Sequence, residues 1–315
     1  MRYGHLEGIE KPVSRLVLGA DNFTLAEKES AFELLDAYVA GGGNTLDMAH
    51  VYRGGECQRV VGEWISARGN RASLVLLDKG CHPYGHPRMT PEDLDSDLAE
   101  NLERLGLQSV DIFCLHRDDP STPVEPIMRR LNEHIASRRI AVIGASNWKH
   151  ERIEEANRFA ASEGLQPFRL VSNNFSLAIP NEPMWSGCVS VGGAASAQAQ
   201  PVSDHMDDAL DWHRRTRFPL FSWSSQGGGF FADRQSDDIT RVYHNRLNYE
   251  RKERAAALAR ELGVPVLSVV LAYVLSQPFP VWALIGPRKP EELEPSSIAL
   301  EIELSAGQIA WLESG

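Results

Sequence analysis

The stretch that decides the fold runs from Leu74 to His116. It opens with Leu74-Val75-Leu76-Leu77-Asp78-Lys79-Gly80, continues through Thr90-Pro91-Glu92-Asp93-Leu94 to Gly106, and closes with Val110-Asp111-Ile112-Phe113-Cys114-Leu115-His116. The outer segments are short apolar runs that end on polar groups, as strands of a parallel sheet do when both faces are buried. Between them Thr90 can cap a helix and Pro91 takes its first turn. Leu94, Leu98, Leu102 and Leu105 recur at helical spacing, and Gly106 ends the pattern. Strand, helix and strand in that order make a βαβ unit.

The same unit recurs in both directions. Eight apolar runs are found: Arg15–Gly19, Thr45–Ala49, Leu74–Gly80, Val110–His116, Ile140–Ser146, Leu170–Phe175, Pro219–Ser225 and Val281–Pro287. The helix after the fourth run repeats the earlier logic: Thr122 and Glu125 are spaced as a capping box, Pro123 opens the helix, and Ile127, Leu131 and Ile135 face inward. Eight such strands in 315 residues predict an α/β fold, a single-domain (β/α)8 TIM barrel over residues 1–315, since that fold takes roughly 250 residues plus loop insertions. Glu291–Ser297 and Ser305–Glu313 read as extra C-terminal helices. From Ile179 to Asp204 every period fails, which predicts a long loop after the sixth strand. There Trp185 would dock on the pocket, and Gly192-Gly193-Ala194-Ala195 would serve as a hinge.

Composition excludes several classes. With 43% hydrophobic and 24% charged residues the chain is an ordinary globular one. A net charge of −11 and a pI near 5.4 oppose nucleic acid or an anionic membrane as partner. The start, Met1-Arg2-Tyr3-Gly4-His5, lacks a signal-peptide core, and no run of about 18 apolar residues follows. Cys57, Cys81, Cys114 and Cys188 show no C-x-x-C spacing, as in a reducing compartment. A cytoplasmic protein is expected.

Barrel active sites form at the C-terminal ends of strands, so the polar groups that close apolar runs are the candidates. They are Asp47, His50 and Tyr52 after the second run, Asp78 and Lys79 after the third, and His116, Arg117 and Asp118 after the fourth. Asp47, Tyr52, Lys79 and His116 compose a proton-relay set. Alternatively Asp47, His50, His116 and Asp118 would ligate a divalent cation in a barrel lyase or hydrolase, although Lys79 would repel the metal.

Over nearly its whole length the chain resembles the aldo-keto reductases. The resemblance lies in Asp47-x-Ala49-x-x-Tyr52, Gly54-Gly55-Glu56 with Gly62, Lys79, His116, Ile143-Gly144-Ala145-Ser146-Asn147 and Ile285-Gly286-Pro287-Arg288. It implies reduction of an aldehyde, ketone or sugar carbonyl, or oxidation of the alcohol, with NADPH as cofactor and NADH possible. Tyr52 would be the general acid, with Lys79, Asp47 and His116 completing a tetrad. A tyrosine of pKa about 10 is a reluctant donor at neutral pH unless a nearby cation favours its phenolate, and a carboxylate keeps a buried lysine charged. A non-catalytic cofactor-binding regulatory subunit is the other reading within this resemblance.

The resemblance also places the cofactor. No Gly-x-Gly-x-x-Gly turn is present, so the barrel mouth must hold it. Ser146 and Asn147 would face the nicotinamide carboxamide, Trp223 the ring, and Ser224, Ser225 and Gly227 to Gly229 the pyrophosphate. Where these enzymes usually carry Gln, the sixth run reads Val171-Ser172-Asn173-Asn174-Phe175, so Ser172 or Asn173 must substitute. Gly286, Arg288 and Lys289 precede a helix start suited to an adenosine 2′-phosphate. Glu292 and Ser296 stand where many relatives carry Arg and Asn. Phe23, His82, Trp148 and Trp185 are the candidate pocket residues.

Overall fold

The computed structural model describes residues 1–192 and 206–315. Its strands are β1 (Tyr3–Gly4), β2 (Val13–Ser14), β3 (Leu16–Gly19), β4 (Thr45–Asp47), β5 (Val75–Gly80), β6 (Val110–Leu115), β7 (Ile140–Ser146), β8 (Val171–Ser172), β9 (Leu220–Ser222) and β10 (Val281–Ile285). Strands β3 to β10 close into a barrel in which every neighbouring pair is parallel. Each of the eight expected runs is one of these strands. The sixth is shorter than expected because past Ser172 the backbone turns to another partner: the Asn174 amide donates to the Val189 carbonyl at 3.0 Å, and isolated bridges join Asn174 to Ser190 and Trp223.

Period-two alternation sorts the strand residues into two layers. Val17, Val75, Leu77, Ile112, Cys114, Val142, Leu170, Phe221 and Trp282 fill the barrel interior, while Leu16, Leu18, Leu46, Leu76 and Phe113 pack outward against the helices. The β1–β2 hairpin was not foreseen. It plugs the barrel floor with Leu6, Ile9 and Val13, and Trp282 Nε1 donates to the Val13 carbonyl across it. Strands of two residues leave no periodic trace in a sequence.

The helix Pro91–Leu105 has the expected cap, with Thr90 and Asp93 forming a reciprocal box and Gly106 at φ +65° closing it. The following helix differs: it spans Val124–Ala136 behind Pro123, and no side chain caps it. Thr122 Oγ1 instead donates to Asp119 at 2.6 Å, a nearer partner that the spacing rule ignored. The helix Glu56–Arg68 crosses Pro91–Leu105 closely at Gly62, where a Cβ would meet the Leu105 carbonyl oxygen at 2.5 Å. At the C-terminus one expected helix divides into a 3-10 turn, Pro290–Leu293, and a helix, Glu294–Ala299. Pro295 lacks an N–H and suits the first turn of a new helix rather than the interior of an old one. The last helix, Ala306–Ser314, is capped by Ser305 and Gln308. Among the described residues no single helix is long and apolar enough to cross a membrane.

Candidate active site

On β5, Val75 and Leu77 point into the barrel, so Lys79 does as well, one layer higher at the C-terminal rim. The same rule places His116 above Ile112 and Cys114. Asp47 ends β4, and five residues later Tyr52 opens the tight turn Tyr52–Gly55. The four groups meet. Lys79 Nζ donates to Asp47 Oδ1 at 2.5 Å, to the Met48 carbonyl at 3.0 Å and to Tyr52 Oη at 3.3 Å. The His116 ring stands edge-on to the Tyr52 ring, with centroids 5.6 Å apart.

Burial drives the electrostatics. Loss of water alone would strip the proton from Lys79, but Asp47 and Tyr52 beside it outweigh that and hold its pKa above the ordinary lysine value. Tyr52 is pushed up, first by burial; Lys79 opposes the shift without cancelling it. Lys79 acts on the phenol in the expected sense, but burial outweighs it and the net shift runs upward, against the expectation. His116 falls well below its ordinary value through burial and then through the positive charges of Lys79 and Arg117, so its ring is neutral. Its Nδ1 is buried and has no partner.

Behind this set lies a layer of which the sequence pointed only to Asp78, while Gln58 and Asn101 were missed. Asp78 points outward from β5, where Gln58 Nε2 contacts both carboxylate oxygens at 3.0 and 2.9 Å and the Lys79 amide donates at 2.9 Å. Burial nevertheless raises its pKa to about 7. Asn101 Nδ2 donates to the Lys79 carbonyl at 3.2 Å. Together these contacts tie the strand end that carries Lys79 to the two helices behind it.

The rival metal set is not brought together. Asp47 is committed to Lys79, His50 Nε2 lies 3.1 Å from Glu100, and Asp118 pairs with Arg152 at 3.4 Å. Among the described residues no group of three His, Cys, Asp or Glu side chains is arranged to hold a metal ion.

On the cofactor side, Ser146 Oγ donates to the Ser172 carbonyl at 2.9 Å, and Asn147 Nδ2 donates to Ser146 Oγ at 2.9 Å and to the His116 carbonyl at 3.3 Å. Among the described residues Ser172 Oγ, Asn173 Oδ1 and Trp223 Nε1 are buried there without a partner. Buried polar atoms are rarely left unpaired, so such a group at a barrel mouth fits a polar ligand. Ser224 has φ +51°, and Gly227, Gly228 and Gly229 follow at +68°, +60° and +106°. A Cβ on Gly229 would come within 2.9 Å of Arg234 Cδ, so only glycine leaves this turn open. Ser225 turns its hydroxyl inward to the Ser222 carbonyl at 2.8 Å and is part of the scaffold.

Gly286, Arg288 and Lys289 are exposed after β10, and Ser296 is buried. Glu292 accepts from the Arg288 amide at 2.8 Å and lies 3.5 Å from Arg234. Through Glu292, Arg234 is thus brought to the segment that carries Arg288 and Lys289. Its only sequence signal is a cation five residues beyond a glycine run.

The segment after β8 crosses the mouth. Asn147 Oδ1 accepts from the Val189 amide at 3.3 Å, and the Asn174 amide donates to the Val189 carbonyl at 3.0 Å. Met184 is buried, whereas Trp185 is 57% exposed and stacks on Trp223 with centroids 6.2 Å apart. The expected hinge residues Gly193, Ala194 and Ala195 lie outside the described residues. His82 is half-buried and edge-on to His116, with ring centroids 4.9 Å apart. Trp148 and Phe23 are buried with the layer between barrel and helices, Trp148 against Phe168 at 5.4 Å.

Along nearly its whole length the chain is similar to known proteins. A norsolorinic acid reductase of Aspergillus flavus is 27% identical over 304 residues, covering 91% of this chain and 71% of that one. The aryl-alcohol dehydrogenase [NADP(+)] of Phanerodontia chrysosporium is also 27% identical, over 91% of this chain and 76% of its own. Among solved structures, an aldo-keto reductase from Klebsiella pneumoniae in complex with NADPH superposes with a TM-score of 0.73 at 21% identity, covering 99% of this chain and 94% of that one. The model of the aldo/keto reductase family matches residues 15–314, and the chain belongs to that family.

Proposed function

We propose that the protein is an NADP(H)-dependent oxidoreductase that interconverts a carbonyl compound and its alcohol, with Tyr52 as general acid and base. The observation that carries this reading is the Lys79 ammonium, bonded at once to buried Asp47 and to Tyr52 Oη, beside a neutral His116. The cofactor-side residues fit a dinucleotide: Ser172, Asn173 and Trp223 offer unpaired polar atoms, the glycine turn is open, and three cations stand at the far end. When bound, the nicotinamide ring supplies or accepts a hydride.

In reduction Tyr52 gives its proton to the carbonyl oxygen as negative charge develops there. Lys79 stabilises the phenolate left behind, and Asp47 keeps Lys79 cationic. A neutral His116 donates one hydrogen bond and orients the carbonyl. In oxidation the same phenolate takes the alcohol proton. A cofactor-binding subunit without chemistry would have no use for a buried ammonium held on a phenol, which favours turnover. The named relatives, an aryl-alcohol dehydrogenase and norsolorinic acid reductases, support aromatic carbonyls as the first class to try. The test is the absorbance of NADPH with purified protein and a panel of aldehydes, ketones and sugars; cofactor binding with no turnover across the panel would overturn the reading.

NADPH is expected to bind more tightly than NADH, with the gap narrowing at high salt and in the Arg288→Ala/Lys289→Ala variant, because a phosphate contact is charge-assisted and screened. Equal dissociation constants in the parent protein, measured by fluorescence titration, would count against it.

Trp185→Ala is expected to raise KM or lower kcat, since the exposed indole stacked on Trp223 forms one wall of the mouth, while thermal stability stays nearly intact. Unchanged kinetics would leave the segment purely structural.

A further inference from the structure

Arg117 follows His116 directly and is only 8% exposed. Its Nη1 donates to the His116 carbonyl at 2.8 Å, while its Nε is buried without an acceptor. Among the described residues no carboxylate lies within ion-pairing distance of it. The adjacent carboxylate, Asp118, is taken by Arg152. A buried guanidinium without a counter-ion is costly and rarely kept without a purpose.

Its place in the fold says where an anion would come from. The positive charge of Arg117 acts on His116, His82 and Cys188. These three lie at the end of β6, in the loop after β5 and in the segment after β8. That segment passes directly over the arginine, since a Cβ on Gly187 would be 3.5 Å from Arg117 Cδ. The guanidinium is thus enclosed between the catalytic histidine and two loops of the mouth, and His82 is edge-on to His116 beside it.

We infer that Arg117 is a specificity residue that holds a carboxylate on the substrate, so that the preferred carbonyl compound carries an acid group near its reacting carbon. The inference rests on the reductase reading and deepens it. A guanidinium presents a planar fork of donors matched to a carboxylate, and at a site closed off from water the missing counter-ion becomes the substrate itself. His82, with Nδ1 at 3.0 Å from the Pro83 carbonyl, is fixed in orientation next to the same anion.

The experiment compares the three carboxybenzaldehyde isomers with their methyl esters, using NADPH and the parent, Arg117→Met and Arg117→Lys proteins. In the parent, kcat/KM for at least one acid is expected to exceed that of its ester by about tenfold or more, chiefly through KM. That ratio collapses towards one in Arg117→Met and partly recovers in Arg117→Lys. A ratio near one for every pair in the parent overturns the inference. So does a Met variant that loses acid and ester alike, because Arg117 would then only position the His116 strand end. A second readout needs neither turnover nor a folded Met variant: benzoate is titrated into the NADPH-loaded parent and Arg117→Lys proteins and followed by tryptophan fluorescence. Saturable binding that weakens with salt and in the Lys variant supports the site, and its absence overturns it. Failure of every carbonyl to turn over, with benzoate still bound at Arg117, would overturn the reductase reading and leave this inference standing.

Discussion

Tyr52→Phe is expected to lower carbonyl turnover by about 10²- to 10⁴-fold, the range ordinarily supplied by a positioned proton donor. The dissociation constant for NADPH should remain nearly unchanged, because the hydroxyl is engaged by Lys79 rather than by Ser146, Asn147, Ser172 or Asn173. Stability should change little, since the ring keeps its packing beside His116 and beneath the Lys79 ammonium, 4.9 Å from the ring centroid. The pH profile carries a sign. Burial raises the phenol pKa, so the proton donor is fully present across neutral pH. Reduction should then be flat there and fall only at alkaline pH, whereas alcohol oxidation, which needs the phenolate, should rise with pH. Steady-state rates in both directions with a cofactor titration check this; a Phe variant with near-parental turnover would remove Tyr52 from the mechanism.

Lys79→Met is expected to abolish turnover at least as thoroughly and, unlike the tyrosine change, to destabilise the fold by about 3–5 kcal/mol. It leaves the Asp47 carboxylate buried with no partner. Burial already raises the Asp47 pKa, with Lys79 as the main opposing charge. In the variant that opposition is gone, so the folded state holds the Asp47 proton more tightly than the unfolded chain does. Stability from this source is present at acid pH and is lost as pH rises through the folded-state value, so the thermal midpoint of the variant should climb as pH is lowered towards 5. Adding Asp47→Leu should recover stability without recovering activity. Thermal unfolding of the parent and both variants over pH decides it; a Lys79→Met protein as stable as the parent would mean that the pair is not the buried link described above.

Much of this was legible before any coordinates. Alternation along Val75, Leu77 and Lys79 already places a charged residue on the barrel's inner face, and no short-range competitor disturbs a strand buried on both sides. The Thr90 cap was legible for the same reason: the cap, the helix and its glycine stop lie within one continuous stretch. The Thr122 cap failed because Asp119, three residues upstream, offered the hydroxyl a better acceptor, and spacing rules do not rank competitors. Trp148 and Trp185 looked alike as aromatic pocket candidates. Burial separated them, Trp148 packing against Phe168 and Trp185 stacking in the open on Trp223.

By itself the sequence determined the eight strands, their order, the rim on which polar side chains meet, and the identity of Asp47, Tyr52, Lys79 and His116 as the set to examine. These follow from periodicity and from resemblance, both written along the chain. Only the tertiary structure decided that those four residues meet, that the β1–β2 hairpin plugs the floor, that Ser172, Asn173 and Trp223 keep unspent polar atoms, that Glu292 brings Arg234 to the Arg288 segment, and that Arg117 is buried with no carboxylate beside it among the described residues. Apart from the hairpin, which buries apolar side chains, each of those facts concerns whether a polar group finds a partner. Partners are set by the closure of the barrel, which brings residues tens or hundreds of positions apart to within a hydrogen bond, and no local pattern records which of them will be left without one.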